Sequence, residues 1–334
     1  MTERNLSFAA VGLAHGHIVQ MCEGLIGAGA RLKYICDGDR GAETLFAAKF
    51  PGATIAPFDQ ILSDEEVGLV ATAAVPGRRC GIGVRAMEAG KHFFSAKAPV
   101  VSSEQLRMLR ETAARTGRKV FVYYSERVAS EAAVFAEKLI AAGKIGRVIN
   151  VVILAPHKLG KRPDWFFSRE DTGGILIDIG SHQFEQFLTY TGNGRAEIVA
   201  SSVANFAHGE HPGFDDFGDA FLRGENGATG YIRVDWFTPD SLPVFGDGKV
   251  VIEGTEGYIE LRKYIDVGGT ETETILLSTR EKTEKFSVAG KVEKPFFPAV
   301  LRDCKEGTET AMSAEHAFYT MELAIRAQEC AKRL

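Results

Sequence analysis

The sequence predicts an α/β protein of two domains, and three observations lead to that prediction. Short apolar runs alternate with helix-like segments through the first 125 residues. A glycine-containing turn joins the first apolar run to the first helix. Further along, strand-like runs follow one another with only tight turns between them. The first pattern predicts a parallel sheet wound with helices, and the last predicts an α+β domain with an open, largely antiparallel or mixed sheet.

The N-terminal domain is predicted to span residues 1–125. Its strands are expected where several apolar or β-branched residues stand together, and amphipathic segments between them are expected to be helices. Strands that are separated by helices are expected to lie parallel, because each helix returns the chain to the same end of the sheet, and such crossovers are right-handed. The predicted strands are 8–11, 32–36, 54–56, 69–73, 92–95 and 119–123, and the predicted helices are 17–29, 42–50, 59–63, 80–89 and 103–116.

The C-terminal domain is predicted to span residues 126–334 and to end in a helix over 313–332. The dipeptide Asn226-Gly227 separates two strand-like runs and predicts a hairpin, since both residues tolerate positive φ. The open sheet needs a cover for its second face, so we expect a homodimer or homotetramer formed through this sheet. The predicted strands are 148–154, 198–207, 218–223, 229–237, 249–253, 258–262 and 274–278.

Composition excludes several classes of protein. The 334 residues are 45% hydrophobic and 25% charged with a net charge of −5, which is typical of a globular protein and gives no basic surface for nucleic acid. Five scattered cysteines without a C-x-x-C, no secretory signal and no run of ~20 apolar residues predict a cytoplasmic protein without a membrane anchor. No metal site is predicted, although one stretch is rich in possible ligands, namely His208, His211, Asp215, Asp216 and Asp219.

The turn after the first strand predicts a dinucleotide site. Compared with the G-x-G-x-x-G fingerprint of a Rossmann domain, Gly12 fills the first position, Ala14 the second and His17 the third. Asp37 ends the second strand 20 residues after His17, where a carboxylate bonds the ribose hydroxyls and repels a 2′-phosphate. NAD is therefore the predicted cofactor. Arg40 leaves NADP open as the alternative, and His15 and His17 are expected to contact cofactor or cap the helix.

Further segments occur in a fixed order along the chain. They are Pro76-Gly77-Arg78-Arg79-Cys80, Gly90-Lys91-His92, Ala96-Lys97-Ala98, Tyr124-Ser125-Glu126-Arg127 and the run from Gly173-Gly174 to Asp178 and His182. In this order they resemble P-N-x-x-H, G-K-H, E-K-P, Y-N-x-R and G-G-x-L-x-D-x-G-x-H of the glucose–fructose oxidoreductase / inositol dehydrogenase (Gfo/Idh/MocA) family. The resemblance covers nearly the whole chain. Ala96 and Cys80 depart from it, since they replace the family's glutamate and histidine.

The resemblance implies that Lys97, Asp178 and His182 line the substrate pocket, and that Pro76 and Lys97 lie at the cofactor. Lys97 directly follows a parallel strand, so it should lie at the carboxyl edge of the sheet. Asp178 and His182 are four residues apart and should share one helix face. An imidazole suits the role of base for a hydroxyl proton, and Lys97 would polarise the reacting oxygen. Alternatively, Asp178 and His182 form a surface pair worth ~0.3–0.5 kcal/mol.

The substrate expected from this resemblance is a polyol or sugar, with hydride transfer between its carbinol and the nicotinamide. Two alternatives stay open: an NAD-retaining lyase or glycosidase that works through transient oxidation, and a dinucleotide-binding sensor without turnover. Aromatic faces and carboxylates bind sugars well, although such residues also serve as packing in a core. The additional candidate substrate residues are Tyr124, Arg127, His157, Trp165, Asp235 and Trp236.

Overall fold

A computed structural model describes residues 6–263, 265 and 271–334 of the chain. The opening segment Met1–Asn5, which entered the prediction of no secretory signal, lies outside the described residues. Through residue 123, strands and helices alternate as predicted. They are β1 (Ser7–Val11), α1 (His17–Gly27), β2 (Arg31–Cys36), α2 (Arg40–Lys49), β3 (Thr54–Ile55), α3 (Phe58–Ser63), β4 (Val67–Thr72), α4 (Pro76–Glu88), β5 (His92–Ala96), α5 (Ser103–Thr116) and β6 (Val120–Tyr123).

The first sheet has six parallel strands in the order β3-β2-β1-β4-β5-β6. The direction of winding reverses between β1 and β4, and ligands of such sheets bind outside the carboxyl ends of the strands at this reversal. Gly12 directly follows β1, and Lys97 directly follows β5. The sheet therefore brings the predicted cofactor turn and the predicted lysine to the same edge.

The rest of the chain forms shorter helices and a second sheet. Its elements are α6 (Ser125–Val128), α7 (Glu131–Ala141), β7 (Val148–Pro156), a 3-10 helix (Asp164–Phe167), α8 (Arg169–Thr172), α9 (Ile175–Asp178), α10 (Gly180–Thr191), β8 (Ala196–Ala204), β9 (Phe217–Gly224), β10 (Thr229–Asp235), β11 (Lys249–Gly254), β12 (Gly257–Arg262), β13 (Thr274–Thr279), β14 (Thr283–Ser287), α11 (Phe296–Glu306), α12 (Ala314–Glu329) and β15 (Lys332–Arg333).

The second sheet has nine strands in the order β14-β13-β12-β11-β7-β10-β9-β8-β15. Parallel pairing of β10 with β7, beside the antiparallel pairs, confirms the predicted mixed sheet. The predicted hairpin lies between β9 and β10, where Gly227 has a φ of +83°. Helix α10 packs on one face, since a Cβ added to Gly230 would lie 2.6 Å from the ring of Phe187.

The chain divides into two compact units. The first contains Met1–Tyr123 and Pro295–Phe318, and the second contains Tyr124–Lys294 and Tyr319–Leu334. The segment 295–318 thus differs from its predicted place in the C-terminal domain. Its Phe297 ring lies 6.2 Å from Phe94 and 5.6 Å from Tyr123, measured between centroids, and so joins the core of the first unit.

The final helix is shorter than predicted. It ends at Glu329 instead of residue 332, because the last residues pair with strand β8. The amide of Leu334 donates to the carbonyl of Val203 at 3.0 Å, and this bond belongs to a strand. None of the described helices is long and apolar enough to cross a membrane.

Candidate functional site

The turn after β1 requires glycine at its first position. Gly12 has a φ of +80°, and its amide donates to the carbonyl of Cys36 at 2.7 Å. A Cβ on Gly12 would lie 2.4 Å from the Cβ of Ala74, which follows β4. Glycine here lets the turn approach the neighbouring strand end closely, as the fingerprint predicts.

The turn leads into the start of helix α1. His15 donates its amide to the carbonyl of Ala73 at 2.9 Å, and its Nδ1 accepts the amide of His17 at 3.1 Å. Ala14 and Gly16 are exposed, and a Cβ on Gly16 would meet no heavy atom within 4 Å. The helix start is therefore open, and its positive dipole end suits the pyrophosphate of a dinucleotide.

Asp37 lies beside the same turn. One of its carboxylate oxygens accepts the amide of Leu13 at 2.5 Å, and the other accepts the amide of Asp39 at 3.3 Å. Each oxygen retains a lone pair for a ribose hydroxyl. The carboxylate thus lies at the carboxyl end of β2, where the spacing predicts it.

A second acid in this region was missed in the sequence. Glu43 is buried, and one of its oxygens accepts the amides of Asp37 and Gly38 at 2.9 and 3.2 Å. Its other oxygen lies 3.6 Å from the guanidinium of Arg40, whose side chain is 78% exposed. The guanidinium expected to accommodate a 2′-phosphate therefore already has an anionic neighbour. The acid lies six residues beyond Asp37, outside the fingerprint, so no motif marked it.

Lys97 and Pro76 begin the segments that follow β5 and β4. Pro76 is the first residue of α4, where its fixed φ starts the helix without the loss of a hydrogen bond. Lys97 is 6% exposed. Arg79 on α4 is fully buried and donates to backbone carbonyls after both β4 and β5, those of Ala74 and Ala98. Arg79 was not predicted, because it occupies an unspecified position of the P-N-x-x-H pattern.

The Gly90-Lys91-His92 segment lies at the amino end of β5, away from Lys97 along the strand. The Nζ of Lys91 donates to the carbonyl of Asp64 at 2.7 Å. Nδ1 of His92 accepts the amide of Lys119 at 3.0 Å. Burial, followed by the nearby Arg118, lowers the pKa of His92 to about 4. These two side chains tie neighbouring segments together, so this segment supports the sheet.

Asp178 and His182 lie on two successive helices instead of the one predicted. Helix α9 ends at Asp178, and α10 begins at Gly180. Glycine is poorly suited to a helix interior, which accounts for the break beside it. The amide of His182 still donates to the carbonyl of Ile179 at 3.0 Å, so the break is small. Both side chains are buried, with 9% of Asp178 and 3% of His182 exposed.

A buried carboxylate contacts Gln183, the residue that follows His182. Glu126 on α6 is 3% exposed, forms an ion pair with Lys263, and accepts the amide of the Gln183 side chain at 2.9 Å. Its other oxygen lies 3.4 Å from Nε2 of His157. Burial acts to raise the pKa of Glu126, but Lys263, His182 and His157 outweigh it and hold that pKa well below its ordinary value. This carboxylate is therefore ionised.

Tyr124 and Arg127 flank Glu126 on the same short segment. The ring of Tyr124 lies 6.1 Å from the imidazole of His182, edge to face. All three guanidinium nitrogens of Arg127 contact a carboxylate. The shortest N–O distance is 2.6 Å to Glu185 and 3.0 Å to Glu137. Burial acts to lower the pKa of Arg127, but these glutamates raise it above its usual value. Arg127 thus holds helices together, while Tyr124 packs on the candidate base.

Asp178 lines a separate small pocket of the second unit, together with Trp236 and Asp215. The Arg162 guanidinium lies over the rings of Phe166 and Trp236, at 4.6 and 5.1 Å. Of the predicted substrate residues, Trp236 therefore shares a pocket with Asp178.

The remaining predicted substrate residues have other surroundings. Trp165 packs against Phe166 with 5.9 Å between ring centroids. Asp235 pairs with Arg233 at 3.1 Å and lines a different groove. Of this group, His157 is the residue that contacts Glu126.

The stretch rich in histidine and aspartate forms internal contacts. Nδ1 of His208 lies 2.9 Å from Asp216, and the ring of His211 stacks on Phe167 with 3.7 Å between centroids. Asp215 accepts from Arg333 at 2.8 Å. Among the described residues, no group of three or more histidine, cysteine, aspartate or glutamate side chains is arranged to hold a metal ion.

With this geometry established, comparisons with known proteins identify relatives. Residues 134–260 match the model of the GFO/IDH/MocA C-terminal domain. A protein of Erwinia carotovora atroseptica SCRI1043, provisionally named an oxidoreductase, is 48% identical, with a TM-score of 0.97 over 99% of this chain and 100% of that one. The chain belongs to the Gfo/Idh/MocA family.

More distant relatives carry specific names. A levoglucosan dehydrogenase in complex with NADH has a TM-score of 0.82 over 98% of this chain and 97% of its own, at 17% identity, and so shares the fold. The D-xylose dehydrogenase of Paenarthrobacter nicotinovorans is 24% identical over 131 residues, 37% of this chain. That match spans only 34% of the length of the D-xylose dehydrogenase.

Proposed function

We propose that the protein is a dehydrogenase that uses a nicotinamide dinucleotide to oxidise a CH–OH group of a sugar, sugar derivative or cyclitol. The observation that carries this proposal is the carboxyl edge of the first sheet. The Gly12 turn, the carboxylate of Asp37 and the buried Lys97 all follow strands at that edge. Family membership supports the same activity, as do the names of the relatives that act on levoglucosan and D-xylose.

We propose NAD as the preferred cofactor. The open start of α1 would hold the pyrophosphate, and Asp37 would bind the ribose hydroxyls. Asp37 and Glu43 together repel a 2′-phosphate, and Glu43 also offsets the charge of Arg40. Calorimetric titration should give a lower Kd for NAD than for NADP, and the reverse order would contradict this assignment.

We propose a role in the chemistry for Lys97, His182, Glu126 and Asp178. A bound nicotinamide supplies the acceptor for the hydride. Lys97 donates a hydrogen bond to the reacting oxygen of the substrate. His182 accepts the proton of that hydroxyl group. The imidazolium so formed is stabilised by the negative charge of the ionised Glu126, which interacts electrostatically with His182. Asp178 is assigned to the substrate hydroxyls or to the orientation of His182.

A substrate screen tests the proposal. Purified protein and NAD are mixed with one polyol at a time, namely D-xylose, levoglucosan or myo-inositol. The absorbance of NADH is followed in each mixture. Turnover with any of them supports a dehydrogenase. Binding of NADH without net NADH formation from any polyol would favour the cofactor-retaining lyase or the sensor instead. Failure to bind either nucleotide at millimolar concentration would contradict the proposal altogether.

We further propose a homo-oligomer built through the open face of the second sheet. At the centre of this face, among the residues that point away from α10, Tyr231, Val152 and Val251 are aromatic or apolar and only partly buried. Their neighbour Phe221 is 37% exposed. A second copy of this sheet would cover that face. Light scattering at micromolar concentration should give a multiple of 36.3 kDa, and a single species of that mass would contradict the proposal.

A further inference from the structure

Arg79 is a fully buried cation whose donors point at the loop that carries Lys97. Its Nη1 donates to the carbonyls of Ala96 at 3.2 Å and Ala98 at 3.1 Å, and also to the carbonyl of Lys97 itself. Three successive carbonyls, from the last residue of β5 to Ala98, thus converge on one guanidinium. The backbone of residue 97 is thereby fixed on both sides of the point where the lysine side chain leaves it.

The same guanidinium also binds the loop after β4. Nε of Arg79 donates to the carbonyl of Ala74 at 2.7 Å, and Ala74 is the residue against which Gly12 packs. One side chain therefore joins the ends of β4 and β5. It links the turn proposed to hold the cofactor with the loop that holds Lys97.

A buried cation is costly unless its donors are satisfied, so a fully buried arginine in this position needs these carbonyls. Arginine is suited to the task because its planar group directs several donors at once. A lysine at the same position would retain the charge but provide a single ammonium, which cannot reach both loops in the same geometry. The arrangement depends on the shape of the guanidinium as well as on its charge.

We infer that Arg79 is a positioning residue, which sets the place of Lys97 relative to the cofactor turn. This inference rests on the proposed function, since it assigns to Arg79 an effect that acts through Lys97. A shift of about 1 Å in a reacting group can cost about 10²-fold in rate. Arg79→Lys should therefore lower kcat by about 10- to 100-fold.

A double-mutant cycle tests this inference with a substrate found in the polyol screen. In the parent, Arg79→Lys should lower kcat as stated. In the Lys97→Ala background the same change should alter the residual rate by less than about threefold, because the group that it positions is gone. NADH fluorescence titration should give a Kd within about tenfold of the parent. Thermal unfolding checks that each variant folds, and Arg78→Lys, at the exposed neighbouring position, is the matched control.

The outcomes separate this inference from the proposed function. Equal losses from Arg79→Lys in both backgrounds would overturn the positioning role while leaving Lys97 as proposed. Parent-like turnover in Lys97→Ala would contradict the proposed role of Lys97, and the inference with it. If Arg79→Lys does not fold, Arg79→Gln takes its place in the cycle. If neither folds, the guanidinium supports the whole unit rather than the loop, and the inference is overturned.

Discussion

The two units bury charged groups at their candidate sites in different ways. In the first, Arg79 is surrounded by backbone carbonyls, and the Gly12 turn is held by backbone hydrogen bonds. In the second, Glu126 is surrounded by Lys263, His157 and the amide of Gln183, which are all side chains.

This difference has physical consequences. Carbonyl dipoles do not titrate, so these hydrogen bonds of Arg79 do not depend on pH while the fold persists. The surroundings of Glu126 include groups whose charges depend on one another, and removal of one leaves the others buried with less compensation. We therefore expect substitutions in the second unit to alter folding stability and pH dependence together.

The largest expected effects concern turnover. His182→Ala should lower kcat by about 10²–10⁴-fold, because the proton acceptor is lost, while the Kd for NADH should change little. Lys97→Ala should lose a similar factor. Steady-state kinetics measure kcat, and NADH titration measures the Kd. Asp178→Asn should lower kcat by a smaller factor if Asp178 only orients the imidazole of His182. A folded His182→Ala that turns over near the parent rate would show that His182 is not the base.

The next effect concerns the stability of the side-chain network. Glu126→Gln removes the carboxylate that forms an ion pair with the buried Lys263 and should lower the free energy of unfolding by about 3–5 kcal/mol. Adding Lys263→Met should restore part of this loss, because both buried charges are then gone. Urea denaturation measures the change. Glu111→Gln, in the exposed pair that Glu111 forms with Arg107 at 3.1 Å, is the control and should cost less than about 1 kcal/mol. Equal costs at both positions would contradict the comparison.

The same carboxylate gives this network an acid dependence with a defined sign. The folded pKa of Glu126 is depressed, so its stabilising contribution is present above the unfolded pKa near 4.5 and is lost as pH falls through the folded value. Parent protein should thus lose stability below about pH 4.5 more steeply than Glu126→Gln, as measured by urea denaturation across the acid range. Parallel profiles for the two proteins would contradict this.

The contrast also explains what the sequence could predict. The fold class, the Gly12 turn and the place of Lys97 follow from local patterns, since strand ends and turns are set by neighbouring residues. Glu126 and Lys263 are 137 residues apart, and no local pattern relates them. Arg79 was missed for a similar reason, because its partners lie 5 to 19 residues away and are backbone atoms, which leave no signature in residue types.

A smaller effect is expected for cofactor choice. Asp37→Ala removes the carboxylate proposed for the ribose hydroxyls and should weaken NAD binding by about 10- to 100-fold, the loss of charged hydrogen bonds. NADP binding should weaken less, because one source of repulsion for its 2′-phosphate is removed as well. Calorimetry with both nucleotides measures the ratio of the two Kd values. Glu43→Gln should move that ratio in the same direction, and an unchanged ratio in both variants would contradict the assigned cofactor preference.

The smallest effect is expected at His92, which lies in the first unit away from its proposed site. It concerns the dependence of folding stability on pH. His92 has a pKa of about 4 instead of 6.5, because burial and then Arg118 disfavour its charged form. The unfolded chain therefore binds a proton first, so the contribution of His92 to stability is present above pH 6.5 and is lost between pH 6.5 and 4. After a discount for partial solvent exposure, the loss should be about 1–3 kcal/mol. His92→Gln should remove this loss from the plot of unfolding free energy against pH, as measured by urea denaturation. Arg118→Gln should raise the midpoint pH of the loss, because Arg118 lowers the pKa of His92. If His92→Gln keeps the parent slope between these pH values, the pH response of this unit comes from groups other than the half-buried imidazole of His92.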